Sequence, residues 1–159
     1  MAGVMMHLEV PRAFTDVHRV PRQVAKGAES AFRAYMGRAE ARAKRLVSGP
    51  VLKRRSGKLH RSIRATVFRQ GSVLVGRLGS DVIYAAIHEF GGTIPAHIVR
   101  PRRARVLRFV VNGKVVYAAF ARIPTIRMPE RPYLRRALRE ELPAFLADLE
   151  AVLRQVAAA

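Results

Sequence analysis

The sequence predicts an α+β fold in which an antiparallel sheet, built from two hairpins, is packed by a long N-terminal helix and a kinked C-terminal helix. Three observations predict it: apolar stripes of helical spacing near both ends, two alternating segments around turn residues, and a short helical segment between them. A chain of 159 residues has room for one domain with a core. We therefore expect an N-terminal arm over 1–19 and a single α+β domain over 20–159.

The N-terminal helix is predicted over about 21–47. Pro21 suits the first turn of a helix, and Ser48-Gly49-Pro50 is typical of a helix end. Residues 1–19 show weak periodicity and contain Pro11, which favours an extended arm or loop. The apolar stripe of the helix, at three- and four-residue spacing, consists of Val24, Ala28, Phe32, Tyr35, Ala39, Ala43 and Leu46.

Two hairpins are predicted from period-2 alternation. Residues 60–69 alternate, Gln70-Gly71-Ser72 supplies a turn, and the following VLVGRLGS reads as the returning strand. The second hairpin joins VLRFVV to KVVYAAFA through Asn112-Gly113. Asn-Gly is preferred in a type I′ turn because both positions need positive φ.

The remaining segments complete the predicted order. A short helix within IYAAIHEFGG should end at Gly91-Gly92, which would release an exposed basic loop over 93–105. The C-terminal helix is predicted over 133–156, with an apolar face that includes Leu134, Leu138 and Phe145. Pro143 removes a backbone donor, so we expect a kink or break near 139–142.

The charge is large and unevenly distributed. Thirty basic residues stand against 11 acids, for a net charge of +19, and no acid occurs between Glu89 and Glu130. Such a surface attracts polyanions, although a solvated surface or an acidic protein partner is an open alternative. Zinc fingers, RNP motifs and basic zippers are absent, and no aromatic residues interleave with the basic run 100–105. Any nucleic-acid contact is therefore expected to be non-specific.

The sequence offers no catalytic set. His88-Glu89 begins a pattern typical of zinc proteases, but that chemistry needs a second His at position 92, which is Gly. The absence of cysteine excludes a thiolate site, and no phosphate-binding glycine loop is present. We expect no enzyme activity, cofactor, metal or membrane partner. The lack of a long apolar run or signal-peptide pattern predicts a soluble, intracellular chain.

Three clusters of residues then suggest a family. They are Arg55-Ser56-Gly57-Lys58-Leu59 with Ser62-Ile63; Tyr84-Ala85 with His88-Glu89-Phe90-Gly91-Gly92; and Met128-Pro129-Glu130-Arg131-Pro132-Tyr133-Leu134 with Ala137-Leu138. In this order they resemble the tail-component (neck or tail-completion) family of long-tailed bacteriophages and the related virion-morphogenesis protein of Mu-like phages. The resemblance spans about 20–156. Tyr133 stands where the family commonly has Phe, and the loop 93–105 is longer than in compact members.

The resemblance implies a structural virion protein of the phage neck or tail, assembled in the host cytoplasm as a hexameric or dodecameric ring around the DNA passage. Its implied partners are further copies of itself, adjoining head-completion, tail-terminator or tail-tube proteins, and packaged DNA through non-specific contact. A stand-alone non-specific nucleic-acid-binding protein is the alternative. Candidate contacts to the lumen or to a neighbouring ring are Arg54, Arg55, Lys58, Arg100, Arg102, Arg103 and Arg105. Motif residues with an expected structural role are Gly57, Leu59, Ser62, Tyr84, His88, Glu89, Gly91, Gly92, Pro129, Arg131, Pro132, Tyr133 and Leu134.

Overall fold

The structure, a computed structural model, describes residues 4–9, 22–49, 51–52, 56–71 and 73–158. It confirms the α+β class. The chain divides into two compact units. We call the first, Met1–Phe90 with Glu130–Ala159, the body, and the second, Gly91–Pro129, the arm.

The N-terminal helix forms as predicted. Helix α1 (Arg22–Leu46) buries Phe32, Tyr35 and Met36 along one face, each about 1% exposed. Its small residues Ala39 and Ala43 are fully buried, so neighbouring elements approach this part of the helix closely. The helix therefore forms the centre of the body's core.

A three-stranded antiparallel sheet lies against α1. Strands β2 (Arg64–Gln70) and β3 (Val73–Ser80) form the first predicted hairpin, and β1 (Val4–Glu9) pairs with the other edge of β3. The N-terminal segment 1–19, expected to be extended or a loop, thus contains a strand at 4–9, and its other residues lie outside the described ones. Gly76 in β3 has a packing reason: a Cβ there would lie 2.8 Å from Phe32 Cζ and Met36 Sδ. Glycine lets α1 contact the middle of the sheet.

A short helix, α2 (Lys58–Ser62), precedes β2. The sequence predicted strand-like alternation from residue 60, and this was wrong for 60–62, which lie in α2. Gly57 adopts φ 70°, but it leads into α2, and Leu59 packs on the core from that helix. Ile63, fully buried, is the residue that fixes the start of the strand.

The body ends with two further helices. Helix α3 (Ala85–Phe90) stops before Gly91, as predicted, and α4 (Leu134–Ala157) continues through Pro143 without a break. Helix α4 packs chiefly on α1 in antiparallel orientation, so α1 lies between the sheet and α4. Tyr35 stacks on Phe145 with ring centroids 4.9 Å apart, and its hydroxyl donates to the Leu138 carbonyl over 3.0 Å.

Ion pairs join the same two helices. Arg38 bonds Asp148 over 2.8 Å and lies 3.5 Å from Glu141, while Arg42 bonds Glu140 over 2.5 Å. These partly exposed pairs contribute modestly to stability, but they account for most of the acids that the sequence concentrates near its C-terminus.

The arm consists of three nested antiparallel pairs of strands. Strand β4 (Gly92–Ile94) pairs with β9 (Ile126–Met128), and β5 (His97–Val99) with β8 (Ala121–Ile123). The second predicted hairpin, β6 (Leu107–Val111) with β7 (Lys114–Ala118), closes the series through Asn112 and Gly113, whose φ values are 50° and 78°. The predicted loop over 93–105 therefore contains two strands, and its irregular part is 100–106.

Candidate functional site

The second and third motif clusters meet around the carboxylate of Glu89. Its Oε2 accepts hydrogen bonds from the backbone N–H of Tyr133 at 2.8 Å and Leu134 at 2.9 Å. Its Oε1 accepts from the backbone N–H of Arg135 at 3.0 Å and from the Arg135 guanidinium at 3.1 Å. Glu89 is fully buried, so these four bonds replace its hydration.

This arrangement caps a helix from a distance. The first N–H groups of a helix lack partners within it, and the N-terminal end of the helix dipole attracts negative charge. Tyr133, at the N-cap position of α4, makes no side-chain capping bond, and the carboxylate of Glu89 takes that role. The carboxylate thereby fixes the start of α4 to the end of α3.

Arg135 encloses the same carboxylate from the solvent side. Its guanidinium also donates to the Glu89 carbonyl at 3.1 Å, pairs with the Glu130 carboxylate, and lies 5.2 Å from the centre of the Phe90 ring. The hydrogen bond to Glu89, followed by that to Glu130, raises the pKa of Arg135. Arg135 is not among the residues predicted from the motifs, because only the fold brings it beside Glu89.

His88 and Tyr133 support this junction without forming a reactive pair. The His88 carbonyl accepts the backbone N–H of Arg131 over 2.9 Å, and its ring meets Tyr84 edge-on with centroids 5.9 Å apart. Burial, then the charge of Arg131, lowers the pKa of His88. Tyr133 is fully buried, and burial raises the pKa of its phenol.

The carboxylate of Glu89 is committed to the helix terminus. Both oxygens of Glu89 are engaged by N–H groups. Among the residues that the structure describes, no three His, Cys, Asp or Glu side chains are grouped in a way that could hold a metal ion. The arrangement positions helices rather than a reactant.

The first motif cluster orders a different corner of the body. Ser62 Oγ donates to the Leu59 carbonyl at 2.8 Å, which leaves the hydroxyl of Ser80 to donate to Ser62 Oγ at 2.7 Å. Ser80, only 2% exposed, accepts in turn from the backbone N–H of Val82 at 3.2 Å. The serine of this motif thus links α2 to the end of β3, and Ser80 is a second residue that the sequence analysis missed.

Glycines and prolines of the motifs mark where the chain enters and leaves the arm. Gly91 and Gly92 adopt φ values of 67° and 144°, conformations that side chains disfavour. Pro129 is the last residue of the arm, and Pro132 precedes the buried Tyr133 on the way into α4. These glycines and prolines therefore set the backbone conformation at the first and last residues of the arm and on the way into α4.

The candidate basic contacts are distributed over both units. Lys58 is exposed on α2, whereas Arg54 and Arg55 lie outside the described residues. Arg102, Arg103 and Arg105 are exposed in the irregular segment of the arm, and Arg100 begins it. The register shows why this segment protrudes: 100–106 lies between Val99 and Leu107, while only 119–120 separates their partners Ala118 and Ala121. We call 100–106 the basic insert.

The arm combines this charge with exposed apolar side chains. It carries eight basic residues and no acid. None of the buried core residues belongs to it. Its large exposed apolar residues are Ile98, Val99, Val106, Phe109, Val110, Val111, Val115, Tyr117, Phe120 and Ile126. Paired strands without a core are marginally stable alone, so the arm has the composition of a docking element.

Comparison with known proteins identifies the family of the chain. No described helix has the length and apolar character needed to cross a membrane. No curated protein and no solved structure matches the chain significantly. The model of the phage virion morphogenesis family matches residues 15–148, which includes all three motif clusters. This match covers most of the sequence, and the chain therefore belongs to the phage virion morphogenesis family.

Proposed function

We propose that this protein is a structural component of the phage neck or tail, acting in head–tail joining or tail completion as a homo-oligomeric ring around the DNA passage. Family membership supports a role in building the virion. The observation that carries the finer proposal is the arm, which has eight basic residues, no acid and no buried core. Such an element gains stability by docking on a neighbour.

The body supports a structural role in its own way. The only carboxylate that the body buries among the described residues is Glu89, and it is committed to a helix terminus. We assign the protein no catalytic step. Its partners are further copies of the chain and the adjoining head-completion, tail-terminator or tail-tube proteins.

The basic insert and the segment around Lys58 are proposed to face packaged DNA or the adjoining ring. Arginine meets phosphate oxygens in many geometries, so contact to the backbone needs no base recognition. Binding of this kind weakens steeply with added salt because condensed counterions are released. DNA could then move through the ring without being held at one sequence.

The test is complementation of a phage that lacks the protein. We expect unjoined heads and tails without it, and joined, DNA-filled particles when the parent chain is supplied. Changing Arg100, Arg102, Arg103 and Arg105 together to Ser should reduce the number of joined, filled particles. The matched control changes Lys114, Arg122 and Arg127 to Ser, which removes positive charge from the same unit but spares the basic insert; all three are exposed. Equal losses would show that only net charge matters, and full joining without the protein would refute the proposed function.

A stand-alone non-specific nucleic-acid-binding protein is the second candidate, favoured by the net charge of +19. The response to salt distinguishes the two candidate functions. A monomer that binds DNA tightly, and releases it as salt rises, would favour the second candidate. Self-association of chains that carry this much like charge should instead strengthen with salt, because the repulsion is screened. Light scattering of the purified chain at low and high salt measures the difference.

A further inference from the structure

The tip of the arm carries an apolar face that the structure leaves open. In the ladder of β6 and β7, Arg108 is opposite Tyr117 and Val110 is opposite Val115. Side chains alternate along a strand, so these four project from the same face. Tyr117 is 63% exposed, Val110 61% and Val115 45%. We call these four residues the tip face.

The opposite face of the same ladder is mostly apolar as well. Leu107, Phe109 and Val111 project there opposite Ala118, Val116 and Lys114, and Lys114, next to the turn, is the charged residue of that face. A two-stranded ladder in water ordinarily keeps one face polar, because only one face can be packed on a core. A ladder that is apolar on both sides has a second surface to bury, and the tip face is the more exposed of the two.

The body carries a second open apolar surface, on α4. Leu142, Leu146 and Leu153 lie at positions i, i+4 and i+11, within about 40° of one another around the helix. They are 42%, 51% and 49% exposed, whereas Phe145 faces the core. We call the three leucines the α4 stripe. Glu150 stands beside them with its side chain 66% exposed and pairs with Arg154, whose side chain is 79% exposed.

We propose that the tip face of one copy docks on the α4 stripe of the next copy, a contact that rests on the proposed ring. Each chain carries both surfaces, and two unlike surfaces that fit each other produce a head-to-tail contact, the type of contact that builds a ring when the rotation between copies closes. An isologous dimer would instead pair each surface with itself.

Charge supports this pairing, and the tip face fits within the length of the stripe. From Arg108 to Val110 the tip face spans two residue steps, about 7 Å at roughly 3.4 Å per step. The 11 steps from Leu142 to Leu153 span about 17 Å at about 1.5 Å per residue. The tip face carries Arg108, and Glu150 at the side of the α4 stripe is a carboxylate whose solvent-exposed pair with Arg154 is weak enough to exchange for Arg108.

Net charge decides which force drives the contact. Of the chain's +19, the arm carries +8, which leaves +11 on the rest. Two copies therefore repel at long range, and an attraction must come from apolar burial and from local pairs such as Arg108 with Glu150. This predicts association that strengthens as salt screens the repulsion.

The experiment uses the absence of cysteine from the chain. Tyr117→Cys and Leu146→Cys are made as separate proteins, mixed at high salt and treated with a short bismaleimide. The proposal expects a covalent dimer of the two variants, which only contact between copies can give. The control mixes Ile98→Cys with Leu146→Cys, since Ile98 is 53% exposed on the arm but lies outside the tip face.

Each outcome is decisive. A heterodimer in the test mixture, at least tenfold above the control, supports the proposal. An oligomer that forms without this cross-link overturns the proposed contact but not the proposed ring. The contact is also overturned if a Tyr117→Cys/Leu146→Cys double variant cross-links only within one chain. A chain that stays monomeric also overturns the contact, and the particle counts then judge the proposed function separately. In a second measurement, Arg108→Glu should weaken association and Glu150→Arg in the same chain should restore it.

Discussion

Replacing Glu89 with Gln tests the capping of α4 most directly. Gln keeps the shape of the side chain and one acceptor oxygen, but an NH₂ group takes the place of the other oxygen. If the NH₂ stands at Oε2, it meets the N–H groups of Tyr133 and Leu134, and two charge-assisted hydrogen bonds are lost. Such bonds contribute about 1.5–3 kcal/mol each, so the loss of two should lower the free energy of unfolding by at least about 3 kcal/mol.

The loss should appear as a change in melting temperature. For a domain of this size, about 3 kcal/mol corresponds to a decrease of roughly 6–12 °C, measured by circular dichroism at 222 nm. Glu130→Gln is the matched control, because Glu130 pairs with the same Arg135 but its side chain is 51% exposed. An exposed pair of this kind contributes little, so the control should melt within about 2 °C of the parent. Equal melting temperatures for Glu89→Gln and Glu130→Gln would refute the capping role.

Three further predictions address the packing and titration of the body. Gly27→Ala should destabilise the protein by about 1–3 kcal/mol, because the added Cβ would lie 2.5 Å from Val152 Cγ1. Gly37→Ala in the same helix is the control: its Cβ meets nothing within 4 Å, so it should stabilise the protein by about 0.5–1 kcal/mol. Urea unfolding of both variants measures the difference. Phe32→Ala should cost about 3–5 kcal/mol in the same assay, and a parent-like midpoint would mean that α1 is not docked on the sheet. Burial lowers the pKa of His88 in the folded protein below its unfolded value of 6.5, so the folded state loses stability as the pH falls below 6.5. His88→Gln should therefore flatten the dependence of the unfolding free energy on pH between pH 7 and 5. An unchanged slope would contradict this.

The sequence by itself determined the elements whose signal is local. The stripe through Phe32 and Tyr35 repeats at helical spacing, so it predicts α1 without knowledge of its neighbours. A type I′ turn requires two positive φ values, which Asn and Gly tolerate best, so Asn112-Gly113 predicts a hairpin with that turn. Gly92 in place of a second His excluded the zinc-protease pattern from spacing alone. The ordered motif clusters were sufficient to indicate the phage family.

Only the tertiary structure decided features that depend on partners far apart in sequence. Strand β1 is a strand because β3 offers it an edge more than 60 residues away, and its own residues lack a clear alternation. Strands β4 and β5 have three residues each, too few for any period to appear, so they form only where β9 and β8 pair with them. Glu89 looked like an acid beside a histidine, and its role became clear when the N-terminus of α4, 44 residues later, was found on its carboxylate. Helices and tight turns depend on neighbouring residues, so the sequence pattern predicts them. Strand pairing and distant capping depend on which backbone N–H and C=O groups lack partners until a segment far along the chain packs against them.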